Sequence, residues 1–520
     1  MAAVRNVLFI MCDQLRADYL SCYGHTSLQT PNIDRLAAMG TRFTRAYSQA
    51  PICGASRMSF YTGRYVFSHG ATWNFVPLPA NELTLGDYLR PLGLRVAVVG
   101  KTHHEPDSEG MRRLGLSALV EPGRSISQGG FEPYWRDDGI HPDHATPDSL
   151  PYNVHLRSKG FDGANPWHEW ANSGVGPDGT IASGWYARNA SLPARLPEEY
   201  SETAFATDRA LEFVREQGDR PWCLHLSYIK PHWPYIAPAP YHEMYEAADV
   251  QAPVRAEDER NANPVAMSFQ RHPVSIAFSD DRFRLHVVPT YMGLVKQIDT
   301  HIGRLLDGLA RDGRIADTLI AFTSDHGDLL GDHWQGEKEW MYDASVRVPL
   351  IVADPAAGTR RAVSDALVEA IDLLPTFVEA LGGKPPAHIL EGCSLLSHLR
   401  GGPPPGRDAV FSELDYAIYP TARKLGLGPR DARMVMVRSN DWKYVYFGKK
   451  LPPQLFHMRR DPQELEDFGG DPACARICDE HFGLLSDWMR SRRNRIALDD
   501  AAVAACRDPA AAGGVIIGQW

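Results

Sequence analysis

Residues 51–64 read PICGASRMSFYTGR, and the rest of the chain is most easily understood by starting from this stretch. Cys53 lies in a short turn of small residues, and Arg57 follows four positions later. We predict a helix that begins near Ser56, whose first amide groups would point back at Cys53 and favour an anion there. The alternative is that Cys53 is a small buried residue without chemistry, as free cysteines commonly are. This stretch alone leaves both interpretations open.

Length and composition bound the class of protein. The chain has 520 residues, of which 44% are hydrophobic and 23% charged, enough for one large α/β domain and a smaller one. Lys and Arg number 54 against 64 Asp and Glu, a formal net charge of -10, so we expect neither nucleic acid nor a membrane as partner. The eight cysteines show no disulfide framework. Without a signal peptide or an apolar span, the sequence predicts a soluble, cytoplasmic protein.

Short apolar runs alternate with helical patterns along most of the chain. This alternation predicts an α/β fold with a large, mostly parallel central sheet flanked by helices. The predicted buried strands are residues 7–11, 95–100, 222–227, 319–323 and 348–352, and the predicted helices include 201–217 and 290–309.

The pattern changes after the Gly- and Pro-rich residues 401–406. Alternating apolar residues at 434–437 and 442–446 predict a small antiparallel sheet, followed by a helical tail. We therefore expect a catalytic domain over residues 1–405 and a C-terminal subdomain over residues 406–520.

Residues 105–200 lose this periodicity, which is typical of functional loops. We expect them to cover a pocket. The tryptophans of this region either line that pocket or pack beneath the loops; they are Trp135, Trp167, Trp170 and Trp185.

Four of the predicted strands end in polar residues that can perform chemistry. In open α/β sheets the ligand binds outside the carboxyl ends of the strands, so we expect these residues on one rim. They are Asp13 with Gln14, Lys101 with His103, Lys230 with His232, and Asp325 with His326.

The first and last of these pairs form a candidate metal site. Their carboxylate, amide and imidazole groups fit Ca²⁺, Mg²⁺ or Mn²⁺ better than zinc. The alternative for Asp325-His326 is a helix cap or turn. Lys338 would by itself be a solvated surface charge, but it lies a few residues beyond Asp325-His326 in a glycine-punctuated loop and could supply positive charge to the rim.

These residues resemble the sulfatase family of the alkaline phosphatase superfamily. Cys53, Ala55 and Arg57 match the family's hallmark Cys-x-(Pro or Ala)-x-Arg. The likeness extends through nearly the whole chain, including Thr30 to Asp34, Gly63-Arg64, Gly100-Lys101-x-His103, Lys230-Pro231-His232, Ser324 to Gly327, Trp442-Lys443-Tyr444 and Asp461-Pro462-x-Glu464.

The resemblance implies a set of roles. Cys53 would be oxidised by a maturation enzyme to Cα-formylglycine, whose hydrated aldehyde is the nucleophile of the family. One divalent metal, Ca²⁺ or Mn²⁺ with Mg²⁺ as a third candidate, would be held by the modified residue together with Asp13, Gln14, Asp325 and His326. Arg57 would hold the hydrate, Lys101 and Lys338 would contact the ester oxygens, His103 would take a proton from the hydrate, and His232 or Lys338 would protonate the leaving group.

Within the family the resemblance divides between two subfamilies. Trp73-Asn74, Pro231 to Tyr235 and Leu451 to Pro453 look closest to phosphonate monoester hydrolases, and on that comparison Asn74 contacts the substrate. Those enzymes have Tyr and Thr where this chain has Lys101 and His103, an arylsulfatase-like pair.

Three hypotheses follow from the sequence. The first is a sulfate monoester hydrolase of arylsulfatase type, promiscuous toward phosphonate monoesters and phosphodiesters. The second is a hydrolase of those phosphorus esters, and the third is a non-catalytic anion-binding protein in which Cys53 stays a thiol. We also expect a small anionic ester as substrate and a homo-oligomer, dimer or tetramer.

Overall fold

The computed structural model describes residues 4–142, 146–261, 263–357, 361–448, 450–493 and 496–505. Residues 506–520, the end of the predicted helical tail, lie outside the described residues. The strands are β1 (Asn6–Asp13), β2 (Thr41–Tyr47), β3 (Arg95–Gly100), β4 (Glu132–Arg136), β5 (Ser173–Val175), β6 (Ile181–Ser183), β7 (Trp222–Pro231), β8 (Thr318–Ser324), β9 (Arg347–Ala353), β10 (Ala362–Glu369), β11 (Ala409–Asp415), β12 (Arg433–Ser439), β13 (Trp442–Tyr446) and β14 (Gln454–His457).

The α-helices of the same residues include several of only one or two turns. They are α1 (Pro31–Met39), α2 (Cys53–Thr62), α3 (Val66–His69), α4 (Leu85–Leu89), α5 (Ser108–Arg113), α6 (Gly123–Ile126), α7 (Pro151–Ser158), α8 (Glu202–Gln217), α9 (Pro264–Gln270), α10 (Pro273–Ser279), α11 (Asp281–Arg311), α12 (Asp343–Val346), α13 (Leu373–Ala380), α14 (Leu396–Leu399), α15 (Pro420–Lys424), α16 (Ala475–Arg490) and α17 (Asp500–Ala505).

The central sheet has eight strands in the order β10-β2-β9-β8-β1-β7-β3-β4. Only β9 runs against its neighbours β8 and β2, and the other pairs are parallel. The predicted mostly parallel sheet is therefore confirmed, and the predicted apolar runs are β1, β3, β7, β8 and β9. The four strands that end in polar residues are consecutive in the sheet and parallel, so their carboxyl ends share one edge.

Helices cover both faces of this sheet, which explains why the central strands are continuous apolar runs. Along β1, Leu8 and Ile10 join a core with residues of α8 and α11, whereas Val7 and Phe9 join a core with residues of α2 and α13. A residue in the middle of β1 is therefore buried whichever way its side chain points.

The structure corrects the bounds of two predicted helices. The helix α11 begins at Asp281 rather than at Thr290, and Pro289 lies inside it, where a missing N–H donor normally disfavours a helix. The helix α2 begins at Cys53 itself rather than near Ser56. None of the helices in the described part of the chain is both long and apolar enough to cross a membrane.

The region predicted as loops, residues 105–200, contains short elements from α5 to β6. Trp135 and Trp167 are buried in the core beneath them. Trp185 packs instead against Trp233, with ring centroids 5.7 Å apart, next to His232. Packing beneath the loops is thus confirmed for Trp135 and Trp167.

The second sheet has four antiparallel strands in the order β11-β12-β13-β14, which confirms the predicted antiparallel sheet. Met434, Met436 and Val445 on one of its faces join a core with Ile52 and Ala55, which lie one residue before and two residues after Cys53. On the other face the strands pack with Leu485 and Trp488 of α16. The domain boundary at residue 405 stays a prediction.

A buried ion network joins the two sheets and offers a test of this packing. Lys443 of β13 is fully buried, with its Nζ 2.5 Å from Asp343 Oδ1 and 2.7 Å from Glu464 Oε1. Lys443→Ala leaves the buried carboxylate of Glu464 without a cation and Asp343 with Arg347 alone, at 3.2 Å, and we expect the free energy of unfolding to fall by about 3–5 kcal/mol. Urea denaturation followed by tryptophan fluorescence measures this change.

The control is an ion pair of the same sheet that faces solvent. Arg459 and Asp441 lie 2.5 Å apart, but their side chains are 70% and 47% exposed. We expect Arg459→Ala to change stability by less than about 1 kcal/mol. Equal effects of the two substitutions would contradict the role assigned to Lys443.

Candidate active site

Cys53 is the first residue of α2 and lies at the rim formed by the strand ends. Its side chain is buried, with Sγ 3.1 Å from His326 Nε2 and 3.8 Å from Asp13 Oδ1. The N–H of Gly54 donates a hydrogen bond of 2.8 Å to Asn74 Oδ1. Asn74 therefore occupies the end of the helix, and its predicted contact with the substrate stays a prediction.

Arg57 follows one helical turn later and connects α2 to the sheet. Its buried guanidinium donates to Asp325 Oδ2 at 2.8 Å and to Asp13 Oδ2 at 3.1 Å. A further nitrogen, Nη1, donates to the carbonyl oxygen of Lys101 at 2.9 Å and to Ser227 Oγ at 2.8 Å. Asp13 ends β1, Ser227 lies within β7, and Lys101 and Asp325 directly follow β3 and β8. The predicted contact of Arg57 with a modified residue 53 stays a prediction.

Four buried residues offer converging ligand atoms for a metal ion. One such atom each from Asp13, Cys53, Asp325 and His326 lies within 4.8 Å of the others. His326 Nδ1 lies 2.8 Å from the carbonyl oxygen of Gly327, which orients the ring so that Nε2 faces Cys53. Two carboxylates converging in a buried site, with an imidazole beside them, fit a divalent cation. This confirms that these four predicted ligands are brought together.

Gln14 lies beside this group, but its side chain makes other contacts. Its backbone N–H donates to Asp325 Oδ1 at 3.1 Å. Its Nε2 donates to Asp328, and its Oε1 accepts a hydrogen bond of 2.8 Å from Lys338 Nζ. Gln14 therefore links Lys338 to the site, and its role as a metal ligand stays a prediction.

Lys101 follows a glycine at which the backbones of β3 and β7 lie very close together. Gly100 has φ +103°, and a Cβ at this position would lie 1.9 Å from the carbonyl oxygen of Ser227, so no other residue fits here. The buried Nζ of Lys101 lies 2.7 Å from Asp13 Oδ2.

Two histidines face Cys53 from the same rim. The imidazoles of His103 and His232 both lie near the Cys53 sulfur and interact with it. His232 Nδ1 lies 2.8 Å from the carbonyl oxygen of Trp233, which must accept, so Nδ1 carries the proton of the neutral ring. The unprotonated Nε2 then faces the site, 4.0 Å from Asp13 Oδ1.

The charges of the site shift the ionisation of Cys53 and its neighbours. Burial opposes ionisation of the Cys53 thiol, yet Lys338, Lys101 and His326 together hold its pKa well below the usual value. Burial and the ammonium group of Lys338 lower the pKa of His232 to about 3. Burial also opposes protonation of His326, but Asp325 and Cys53 raise its pKa to about 9. The site thus favours an anion at position 53.

Lys230 is one rim residue that the structure does not bring to Cys53. Its Nζ donates to the carbonyl oxygen of Pro234 at 2.9 Å and lies 3.6 Å from Glu202 Oε1. This ammonium group therefore serves Glu202 and the backbone, and the expected place of Lys230 among the chemically active rim residues stays a prediction.

Three residues of the site were not identified from the sequence. Ser227 bonds to Arg57, Asp328 bonds to Gln14, and Asp138 accepts from the backbone of His103 at 2.9 Å. Ser227 is the last residue of the predicted strand 222–227, so the expectation that site residues lie at the ends of strands could have identified it. Asp328 and Asp138 lie in loops, where aspartate is common in ordinary turns.

Comparison with known proteins agrees with this geometry. The family model described as Sulfatase matches residues 5–383, and the model described as N-sulphoglucosamine sulphohydrolase, C-terminal, matches residues 331–489. The chain belongs to the sulfatase family. This sulfatase-family protein places the family's hallmark cysteine where its ionised form is favoured.

The names of its relatives and of similar solved structures describe more than one activity. The multifunctional alkaline phosphatase superfamily protein PehA of Trinickia caryophylli is 33% identical over 94% of this chain and 96% of its own length. An arylsulfatase of Clostridium perfringens is 26% identical over 88% and 89%. Among solved structures, the phosphonate monoester hydrolase of Silicibacter pomeroyi has a TM-score of 0.82 and 30% identity, covering 95% of this chain and 97% of its own.

Removal of one ligand tests the metal site. We expect the purified protein to contain about one divalent ion per chain, and Asp325→Asn to lose most of it because one carboxylate charge is removed. Elemental analysis by mass spectrometry measures the metal content. Asp354→Asn is the control, since Asp354 follows β9 and pairs with Arg400 at 2.8 Å. Unchanged metal content in Asp325→Asn would contradict the assignment.

Proposed function

We propose that this protein hydrolyses sulfate monoesters of the aryl type, and that phosphonate monoesters and phosphodiesters are secondary substrates. The observation that carries the proposal is the pair Lys101 and His103 beside Cys53. Lys101 places a buried ammonium group 2.7 Å from Asp13, and the imidazole of His103 lies near the Cys53 sulfur and interacts with it.

The number of oxygens on the substrate explains why this pair favours sulfate. A sulfate monoester presents three non-bridging oxygens, whereas a phosphonate monoester or a phosphodiester presents two and a carbon or ester substituent. Cationic and hydrogen-bonding groups stabilise the charge that collects on such oxygens in the transition state. Lys101, His103 and Lys338 surround Cys53 and so supply donors on several sides of a bound ester.

The proposal includes a bound Ca²⁺ or Mn²⁺ and conversion of Cys53 to formylglycine. The cation would be held by Asp13, Asp325, His326 and residue 53, and together with the hydrated aldehyde it would supply a nucleophile activated at neutral pH. The protein's own residues would bind the ester and move its protons. Lys101 would bind an ester oxygen, and His103 would accept a proton from the second hydroxyl of the hydrate.

Lys338 is better suited than His232 to protonate the leaving group. Cys53 and Glu337 overcome the effect of burial and raise the pKa of Lys338 above its usual value, so its ammonium group stays protonated at neutral pH. His232 is neutral, with Nε2 unprotonated toward the site. We therefore propose Lys338 as the proton donor and His232 as a hydrogen-bond acceptor.

A phosphonate monoester hydrolase is the second candidate. It is favoured by the phosphonate monoester hydrolases of Silicibacter pomeroyi and Agrobacterium radiobacter, whose structures match over almost the whole chain with TM-scores of 0.82 and 0.80. The first candidate rests on Lys101 and His103, and the second rests on the similarity of the whole fold. The measured substrate preference therefore decides between them.

Lys101→Met tests the first candidate. We expect kcat/KM for an aryl sulfate to fall by about 10²–10³-fold, because a donor to the third oxygen is lost, and kcat/KM for an aryl phosphonate to fall less than about tenfold. Both are measured on protein produced with a formylglycine-generating enzyme, with Cys53→Ala as the blank. Equal losses for the two esters would remove the role of Lys101 in selectivity. A wild-type preference for the phosphonate would favour the second candidate.

Lys338→Met tests the assignment of the proton donor. Phenol is a poorer leaving group than 4-nitrophenol and depends more on protonation. We expect kcat/KM to fall by about 10²–10⁴-fold for phenyl sulfate but only about tenfold for 4-nitrophenyl sulfate. If both esters lose activity equally, Lys338 binds the ester without protonating its leaving group.

A further inference from the structure

The turn that carries His103 has a backbone conformation that needs support. His103 has φ +48°, in the left-handed region where close contacts between the side chain and the backbone disfavour most residues other than glycine. This turn directly follows β3 and includes the residues Lys101 to His104. Without external contacts it would relax, and the imidazole would leave the Cys53 sulfur.

The carboxylate of Asp138 supplies the contacts. Its Oδ1 accepts hydrogen bonds from two successive backbone N–H groups, that of Thr102 at 3.1 Å and that of His103 at 2.9 Å. Two converging amides of this kind form a small anion-binding concavity. The carboxylate therefore stabilises the turn in the conformation that directs His103 to the site.

Arg136 holds the other side of the same turn. Its guanidinium lies 3.6 Å from Asp138 Oδ2 and donates to the carbonyl oxygen of His104 at 2.8 Å. Burial opposes ionisation of Asp138, but Arg136, His103 and Lys101 lower its pKa, so it is an anion at neutral pH.

The support comes from the edge of the sheet. Arg136 is the last residue of β4, the edge strand beyond β3, and the N–H of Asp137 continues the pairing by donating to the carbonyl oxygen of Gly100 at 3.2 Å. The chain thereby passes over the turn that follows β3, and Asp138 lies against it.

We propose that Asp138 is a positioning residue that holds His103 against residue 53 and thereby acts on catalysis through His103. The proposal rests on the proposed function in one respect, since His103 is taken as a group that acts on the reacting residue. Asp138 hydrogen-bonds to the backbone N–H groups of the turn, and its second carboxylate oxygen pairs with Arg136.

A double-mutant cycle with His103 distinguishes positioning from general stability. We expect Asp138→Ala to lower kcat/KM by about 10–100-fold, as displacement of a catalytic group does. In the His103→Ala background the same substitution should change kcat/KM by less than about twofold. Asp138→Asn, which keeps an acceptor oxygen, should recover most of the activity. Equal losses in both backgrounds would overturn the proposal, as would an unaffected Asp138→Ala.

Asp137→Ala is the matched control. Asp137 is the neighbouring carboxylate, but its Oδ1 pairs with His141 at 2.9 Å and accepts from Gly139 at 2.7 Å rather than from the His103 turn. We expect this variant to keep activity within about threefold, far less than the loss on displacing a catalytic group. If the kcat/KM of Asp137→Ala falls as much as that of Asp138→Ala, the loop as a whole affects activity and the proposal fails.

The cycle is measured with whichever ester the wild type turns over best. A wild-type preference for phosphonates would overturn the proposed function and still leave the coupling between Asp138 and His103 measurable. Absence of coupling with a sulfate-preferring wild type would overturn the role of Asp138 alone.

Discussion

The guanidinium group of Arg57 lies between the carboxylates of Asp13 and Asp325, with N–O distances of 3.1 and 2.8 Å. All three side chains are completely buried, so each charge depends on the others for its stability. Arg57 also bonds to Lys101, which follows β3, and to Ser227 of β7, and it is one turn along the helix from Cys53. The same side chain therefore fixes the helix start that carries Cys53 and the carboxylates that would hold the metal.

The charges around this arginine are close to balanced before any ligand binds. Asp13 contacts both Arg57 and Lys101, whereas Lys338 donates to the neutral amide oxygen of Gln14 and lies 3.8 Å from Glu337 Oε2. The ammonium groups of Lys101 and Lys338 can attract an anion at residue 53, and the carboxylates beside Cys53 have oxygens to offer a cation. An anion and a cation bound together in such a site each lower the cost of binding the other.

The sequence was sufficient for residues that follow apolar runs, because the end of a buried parallel strand fixes where the next side chain lies. Asp13, Lys101 and Asp325 were found in this way. It was insufficient for Asp138, since β4 reads Glu-Pro-Tyr-Trp-Arg and contains no apolar run. It was also insufficient for the orientation of Gln14, whose amide is fixed by Asp328, 314 positions away along the chain. Local patterns cannot predict such contacts between distant loops.

The burial of Cys53 has a consequence for the order of events during synthesis. Its sulfur is covered partly by His326, which follows 273 positions later in the chain. At a translation rate of about 5–20 residues per second, the ribosome needs roughly 15–55 s to make that intervening chain. During this interval the thiol lacks the cover that His326 later provides. Under the proposed conversion to formylglycine, a modifying enzyme would have this time window on the nascent chain before the folded protein buries the cysteine.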